Sequence, residues 1–486
     1  MRRLIPILVC LPSLAFAGAK GAKAGKADKK GAAAAAATTP ALPGPDVKRW
    51  DLANGMHVIY LGDHRAPVVT AQVFYHTGQK DEPLDKRGVA HMFEHVMFKG
   101  STHVKPEDHA HFIDDVGGRV NAATSLDFTF YHQTVPPTAL ELAIKLEAER
   151  MRNLEFWEKS FQSEREVVKE EHRMRLENNP VTKAFAAVLK LAYKVHPYQE
   201  LAIGEPAMLD RTHLDDYKKF YDTYYQPNNA TLIVVGDTDE ATVKKLADQY
   251  FGVIPKAPEP AHTRYDEPKQ TAFQEQTLRM PVQVPVVIGA YHIGEGTSPD
   301  RYALEVIQEV LSGGESARLN QRLVRKDKVA VGAGGFVFAN EDPGLFLLFA
   351  AFMPDKDPVK VKSDLAEEIE RLGKEKLTAH ELDKAKNQLA ARAVFQREDV
   401  EGVAMQMGQD GIIAHDPLRQ FSSASHYDAL TAEDIQKVAK KYFVRTNYSE
   451  VTLLPAPKAD KPEDKPVDKN DKPVDNKPAA PTGGAK

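Results

Sequence analysis

The chain has 486 residues, of which 42% are hydrophobic and 27% charged, and its formal net charge is -5 at pH 7. This length exceeds what one hydrophobic core usually organises, so we expect two or more globular domains. The charge comes from 64 basic and 69 acidic residues without a long basic block, which argues against a nucleic acid partner.

The N-terminal residues are typical of an export signal. Arg2 and Arg3 precede an apolar run that ends in Ala15-Phe16-Ala17, the small-x-small pattern of a signal-peptidase site. We predict a signal peptide over residues 1–17 and a periplasmic or secreted bacterial protein. The alternative, an uncleaved anchor helix, rests on this run alone, because no later stretch has the roughly 18 to 20 apolar residues that span a bilayer. The single cysteine, Cys10, lies in the signal, so the mature chain has no disulfide.

Two segments of biased composition flank the central part of the chain. Residues 18–45 consist mainly of Ala, Gly and Lys, and residues 456–486 repeat Lys, Pro and Asp with almost nothing apolar. Neither composition can bury a core, so we predict a disordered linker and a solvated tail. The alternative for the tail is a role in binding a partner or the cell wall.

The central residues alternate strand-like and helix-like patterns, and one pattern occurs twice. KKFYDTYYQPNNATLIVVGD at 218–237 and QKVAKKYFVRTNYSEVTLLPA at 436–456 both run from a helix through an aromatic pair and an Asn-containing turn to an apolar strand. Such a distant repeat predicts two similar domains. We place them at 46–254 and 270–455, joined by a linker at 255–269 where prolines and charged residues cluster.

A short helical pattern in the first half carries the residues most suggestive of chemistry. His91 and His95 are four residues apart, so on a helix both side chains project from one face and can reach one metal ion. Glu94 lies near that face, close enough to contact a water without binding the metal. His-x-x-Glu-His is the inverted zinc-peptidase motif, in which zinc activates water and a carboxylate takes its proton. Taken alone, the three residues are also compatible with a solvated helix face.

A third ligand is needed, because catalytic zinc sites usually have three protein ligands and one open position. A second helical pattern at 160–176 offers five candidates, and spacing alone does not choose among them. Two of the glutamates are seven residues apart, so they share one face, and one can bind metal while the other supports the site. Such ligands also accept cobalt or manganese. The candidates are Glu164, Glu166, Glu170, Glu171 and His172.

Over about residues 46–455 the sequence resembles the insulinase and pitrilysin family of zinc peptidases, in its mitochondrial-processing-peptidase branch. In that family a glutamate ligand follows the second histidine of the motif by 76 residues, and here 171 minus 95 is 76. The resemblance implies an α+β fold of two homologous domains, each a mostly antiparallel sheet with helices on one face. It also implies one zinc ion per chain. The implied ligands are His91, His95 and Glu171, with Glu94 as general base and Glu164 as the supporting carboxylate.

A glycine turn at Gly117-Gly118 leads into a strand of alternating pattern at 119–124. From the residues alone this is an ordinary hairpin. The family resemblance implies that the strand is an exposed edge that pairs with an extended substrate backbone. Asn121 and Ala122 then lie beside the scissile bond.

The second half departs from the family pattern. Members present an arginine and, seven residues later, a tyrosine to the substrate, and aligned on Ala317-Arg318-Leu319 these positions fall here on Val324 and Val331. A valine side chain cannot donate a hydrogen bond. Arg325, one place away, is a poor geometric substitute. The chain thus resembles the catalytic half of a heterodimer, whose partner is a paralogous chain with the Arg/Tyr pair, or else a second copy of this chain.

These observations predict a zinc-dependent endopeptidase that cuts extended peptides or unfolded segments at the cell envelope. The alternative is a noncatalytic assembly or scaffold subunit, and the intact Glu94 argues against it, because a scaffold has no use for a general base. A zinc-storing protein would show His-rich tracts, and the sequence has none.

Overall fold

A computed structural model describes residues 44–457. The predicted signal peptide, most of the linker at 18–45 and most of the tail lie outside these residues. The strands are β1 Lys48–Asp51, β2 His57–Gly62, β3 Val69–Tyr75, β4 Arg119–Thr124, β5 Thr129–Val135, β6 Ala230–Gly236, β7 Gln274–Met280, β8 Val286–His292, β9 Ala330–Phe338, β10 Leu345–Phe352 and β11 Tyr448–Pro455.

Fourteen α-helices are present within the described residues. They are α1 Val89–Val96, α2 Asp108–Asp115, α3 Leu140–Asn153, α4 Glu158–His172, α5 Pro180–Ala192, α6 Pro206–Leu209, α7 Leu214–Tyr224, α8 Glu240–Tyr250, α9 Asp300–Ser312, α10 Pro358–Lys374, α11 Ala379–Phe395, α12 Val400–Ile413, α13 Arg419–Ala429 and α14 Ala432–Tyr442. Two π-helical segments, Arg173–Glu177 and Asn320–Lys326, add to these.

The two sheets have the same strand plan. The first has the order β1-β2-β6-β3-β5-β4 and the second the order β7-β11-β8-β10-β9. In each sheet one pair is parallel, β2 with β6 and β7 with β11, and the other pairs are antiparallel. Five strands therefore correspond one to one, and β1 is an addition to the first sheet. The prediction of an α+β fold with two homologous halves is confirmed.

Each half buries one face of its sheet under its own helices. In the first half Val73 and Tyr131 of the sheet pack with Phe93 of α1 and Tyr217 of α7. The second half repeats this arrangement with α9, α10 and α14 over β8 and β10. Every residue of β3 and β5 and all but one residue of β10 is buried, so the opposite faces of the two sheets are covered too.

The opposite face of each sheet is covered by a helix from the other half. Val403 and Met407 of α12 pack on Phe74 and Phe130 of the first sheet. Phe185 of α5, together with Val188, packs on the second sheet. The predicted helices on one face of each sheet are therefore present within each half. The prediction did not include the helix from the other half that covers the second face. The exchange of α5 and α12 buries apolar faces that neither half covers alone.

The start of α1 is fixed by two contacts. Gly88 and Gly204 both have positive φ, and their backbones approach so closely that a Cβ on Gly204 would lie 2.5 Å from Gly88 Cα. The buried carboxylate of Glu82 accepts hydrogen bonds from the N–H groups of Gly88 (2.9 Å) and Ala90 (2.7 Å). Since the first N–H groups of a helix have no partner within it, Glu82 supplies the cap that holds α1 in place.

Replacing Glu82 by glutamine should destabilise the protein by about 1–3 kcal/mol. The glutamine amide keeps one acceptor oxygen, but its NH2 group is a donor and would face a buried N–H that then has no acceptor. Urea unfolding measures this change. Glu200→Gln is the control, since the Glu200 side chain lies near Arg87 and makes no contact with the start of α1. A loss for Glu200→Gln as large as that for Glu82→Gln would contradict the capping role.

Gly408 of α12 should not tolerate alanine. A Cβ there would lie 2.3 Å from Cε2 of Phe74, whose ring is stacked on that of Phe130 at a centroid distance of 4.6 Å. We expect Gly408→Ala to destabilise the protein by about 1–3 kcal/mol despite alanine's higher helix propensity.

Gly411, in the same helix, is the matched control. A Cβ on Gly411 would lie 3.5 Å from Cβ of Pro417, an ordinary contact, so alanine should stabilise by up to about 1 kcal/mol. Equal unfolding midpoints for Gly408→Ala and Gly411→Ala in urea would show that the contact between α12 and the first sheet is loose.

Candidate metal centre

Helices α1 and α4 bring three predicted ligands together in the protein interior. One donor atom from each of His91, His95 and Glu171 lies within 4.8 Å of the others. Glu171 Oε2 is 3.8 Å from His91 Nε2 and 3.4 Å from His95 Nε2. With bonds of about 2.0–2.1 Å, neighbouring ligands of a tetrahedral zinc ion are about 3.3 Å apart. The spacing therefore fits a small divalent cation.

The hydrogen bonding of the cluster also fits a cation. His95 Nε2 is buried, points at Glu171 and has no hydrogen-bond partner among the described residues. A buried polar atom of this kind is rarely left unsatisfied. Two imidazoles and a carboxylate are a donor set typical of zinc. The residues present thus fit the zinc ion that the family resemblance implies.

A second carboxylate orients His95. Glu164 Oε2 lies 3.3 Å from His95 Nδ1, and Glu164 Oε1 lies 3.0 Å from Lys99 Nζ. Because this contact engages Nδ1, the opposite ring nitrogen remains directed at the cluster. Burial opposes a proton on His95, yet the carboxylates of Glu164 and Glu171 raise the pKa of His95 to about 9. The same two carboxylates attract a metal cation.

His91 differs from His95 in its electrostatic surroundings. Its side chain is 2% exposed, and burial, together with the neighbouring His95, lowers the pKa of His91 to about 3. His91 is therefore neutral over the physiological pH range, and the neutral imidazole is the form that binds metal.

Glu94 lies on the same helix and is also buried. Burial raises the pKa of Glu94 to about 7. A carboxyl group with a pKa near neutrality can both take up and release a proton under physiological conditions. Glu94 shares a shallow cleft with His95, Asn121 and Ala122, so the structure brings the predicted base and the two predicted substrate-binding residues together.

Strand β4 forms the open edge of the first sheet and pairs with β5. The Ser125 N–H donates to the Phe128 carbonyl at 2.8 Å, and hydrogen-bonded pairs alternate along antiparallel strands. The backbone groups of Val120, Ala122 and Thr124 therefore point to the open edge, whereas those of Asn121 face β5. Sequence reasoning named Ala122 and missed Val120 and Thr124, since the edge-facing residues follow from the register.

Two charged residues beside the cluster were not among the predicted site residues. Lys99 contacts Glu164, as described above, and Arg175 Nη1 lies 2.8 Å from Glu171 Oε1. The four-residue spacing between Glu171 and Arg175 is that of a helical ion pair and could have indicated the second contact.

The second half has no equivalent cluster within residues 44–457. Helix α9 follows β8 as α1 follows β3, and it carries Gln308 and Ser312 four residues apart. Gln308 Oε1 accepts the N–H of Val337 at 2.9 Å, and Ser312 Oγ accepts that of Gly335 at 2.6 Å. Side chains of α9 thus occupy N–H groups of the edge strand β9.

The three residues at or beside the missing Arg/Tyr positions have other surroundings. Val324 packs against the core of the second half, and Val331 is 41% exposed on β9. Arg325 forms an ion pair with Glu315.

None of the helices in residues 44–457 has the length and apolar character needed to cross a membrane.

Two family models match the chain. The model described as Insulinase (Peptidase family M16) matches residues 57–205, and the model described as Peptidase M16 inactive domain matches residues 213–389. The zinc protease PqqE of Helicobacter pylori is 30% identical over 408 residues, which cover 83% of this chain and 92% of that protein. An uncharacterized zinc protease of Streptomyces coelicolor is 25% identical over 410 residues, covering 81% and 86%.

Solved structures agree with these matches. The crystal structure of a protease from Helicobacter pylori superposes with a TM-score of 0.81 at 30% identity, covering 85% of this chain and 100% of that one. The first half of the periplasmic protease PqqL from Escherichia coli has the same fold, with a TM-score of 0.70, 18% identity and coverage of 85% and 93%. The resemblance seen in the sequence is confirmed, and the chain belongs to the insulinase family of peptidases, family M16.

Proposed function

We propose that this chain is a zinc-dependent endopeptidase that hydrolyses peptides or unfolded polypeptide segments at the bacterial cell envelope. The observation that carries the proposal is the buried cluster of His91, His95 and Glu171 beside Glu94 and the open edge of β4. The names of the related zinc proteases support zinc as the metal. The predicted signal peptide supports a periplasmic or secreted location.

Substrate binding begins at β4. An extended peptide can form backbone hydrogen bonds with the edge-facing groups of Val120, Ala122 and Thr124, a mode that places few demands on its sequence. Folded proteins present few such free strands, so the site favours peptides and unfolded segments. Because Ala122 lines the same cleft as Glu94, a paired peptide passes beside the general base.

The side chains of the site have separate roles in the proposed reaction. In the proposal His91, His95 and Glu171 hold one zinc ion, and Glu164 fixes the ring of His95. When bound, zinc polarises the scissile carbonyl and lowers the pKa of water to about 7. The Glu94 carboxylate accepts the proton of the attacking water and returns it to the leaving amide nitrogen. The pKa of Glu94, raised by burial, suits both steps.

The cleft beside Glu94 is too small and open to enclose a substrate on its own. Its volume is about 60 Å³, well below the roughly 300–1,000 Å³ typical of sites that enclose a ligand. The chain's own second half has valines, Val324 and Val331, at the positions where the family presents its Arg/Tyr pair. We therefore propose that a paralogous chain carrying this pair, or a second copy of this chain, completes the substrate site.

Removing a ligand should lower the zinc content. We expect Glu171→Gln and His91→Ala to lose about tenfold or more in zinc affinity, measured by chelator competition and elemental analysis of the purified protein. Glu170→Gln is the matched control, because Glu170 neighbours Glu171, is exposed and pairs with Arg173. Unchanged zinc stoichiometry in Glu171→Gln and His91→Ala would reject the ligand assignment.

Removing the base should abolish cleavage while zinc stays bound. The mature chain, alone and with a candidate partner from the same organism, is assayed on a quenched peptide library with and without chelator. We expect Glu94→Gln to reduce kcat by about 10²–10⁴-fold at normal zinc content. If wild type and Glu94→Gln are equally inert with partner and zinc present, the noncatalytic scaffold alternative is favoured instead.

A further inference from the structure

The second half of the chain contacts the β4–β5 hairpin at both of its ends. We propose that Glu401 and Glu341, both in the second half, are positioning residues that hold strand β4 ready to pair with substrate. This inference rests on the proposed function, because it assigns β4 as the substrate strand. It gives the half without metal ligands a direct part in substrate binding.

At the open end of the hairpin, one carboxylate joins both strands. Glu401 Oε2 accepts hydrogen bonds from Thr134 Oγ1 of β5 at 2.7 Å and from Arg119 Nε of β4 at 3.0 Å. Arg119 and Thr134 are direct partners in the strand register. The Glu401 carbonyl also accepts from Gln72 Nε2 of β3 at 2.9 Å. The first turn of α12 is therefore fixed to three successive strands.

At the turn end, two equivalent hairpins meet. Asp127 lies in the turn between β4 and β5, and Glu341 lies in the turn between β9 and β10. Asp127 Oδ2 accepts the backbone N–H of Glu341 at 3.0 Å. The buried Lys80 bridges the two, with Nζ 3.2 Å from Asp127 Oδ1 and an ion pair to Glu341. The turn thus has buried, charge-assisted contacts with the second half.

Two histidines add to the contacts of Glu341. His76 Nε2 lies 2.8 Å from Glu341 Oε2, and His415 Nε2 lies 3.0 Å from Glu341 Oε1. His76 belongs to the first half and His415 follows α12 in the second half. Glu341 Oε2 therefore contacts the first half through His76 and Lys80, whereas Oε1 is held by His415 of its own half.

At the open end of the hairpin, the exposure of the Glu401–Arg119 contact favours a role in binding over a role in bulk stability. Arg119 is 66% exposed, and ion pairs at such sites contribute little to stability. Edge strands held from one side open more readily than central ones. Fixing both ends of β4 lowers the conformational entropy that the strand loses when a peptide pairs with it. We therefore expect these contacts to increase the affinity for substrate.

The test uses Glu401→Ala in the full mature chain, with Glu398→Ala as the matched control, since Glu398 is exposed and lies three residues away. Hydrogen exchange is followed in peptic fragments that cover 119–124 and 89–96. We expect exchange in 119–124 to become about tenfold faster in Glu401→Ala, with 89–96, zinc content and the unfolding midpoint unchanged. With the partner and a quenched peptide, KM should rise about tenfold and kcat stay within about twofold.

Glu341→Gln provides a second variant at the other end of the hairpin and should shift exchange of 119–124 in the same direction. Unchanged exchange in 119–124, or equal acceleration in 89–96, would overturn the inference, as would a fall in kcat at constant KM. An inactive wild type would reject the proposed function instead, and the exchange data would still decide whether Glu401 orders β4.

Discussion

The contact between α1 and α4 places two imidazoles and a carboxylate in a mostly buried cluster beside the open cleft, and the rest of the site depends on that burial. Polar groups in such surroundings are costly unless they are paired, so the cluster requires a cation or a proton among its donor atoms. Contacts from neighbouring charged residues orient the donor atoms toward one point, where a cation can bind. Glu164 engages the outer nitrogen of His95, and Arg175 contacts one oxygen of Glu171, which leaves the other oxygen near the imidazoles.

The two halves are not independent bodies. Each sheet has its own helices on one face and a helix of the other half on the second, so α5 and α12 act as reciprocal covers. The second half, which has no metal cluster within residues 44–457, therefore contributes directly to the packing of the first half. It buries the outer face of the first sheet, including Phe74 and Phe130, and supplies contacts at both ends of the hairpin that borders the cleft.

Much of this architecture follows from sequence, and the remainder has identifiable physical reasons. The spacing of His91 and His95 predicts a shared helix face from the residues alone, whereas choosing Glu171 among five candidates required the family resemblance. The repeat at 218–237 and 436–456 predicts two related halves. The exchange of α5 and α12 was not predictable, because hydrophobic periodicity shows which face is buried but not which element buries it. The edge-facing role of Val120 and Thr124 depends on strand register, which the sequence pattern does not determine.

The side-chain contacts along the outer edge of β9 have a consequence for how the molecule behaves in solution. Unpaired edge strands are the usual points at which sheets add further strands, and two open edges on one chain would allow head-to-tail growth into aggregates. Gln308 and Ser312 occupy N–H groups of β9, so that edge is a poor template for another strand. Of these two corresponding edge strands, β4 is therefore the receptive one and β9 is a poor one, so a strand added at β4 has no counterpart at β9.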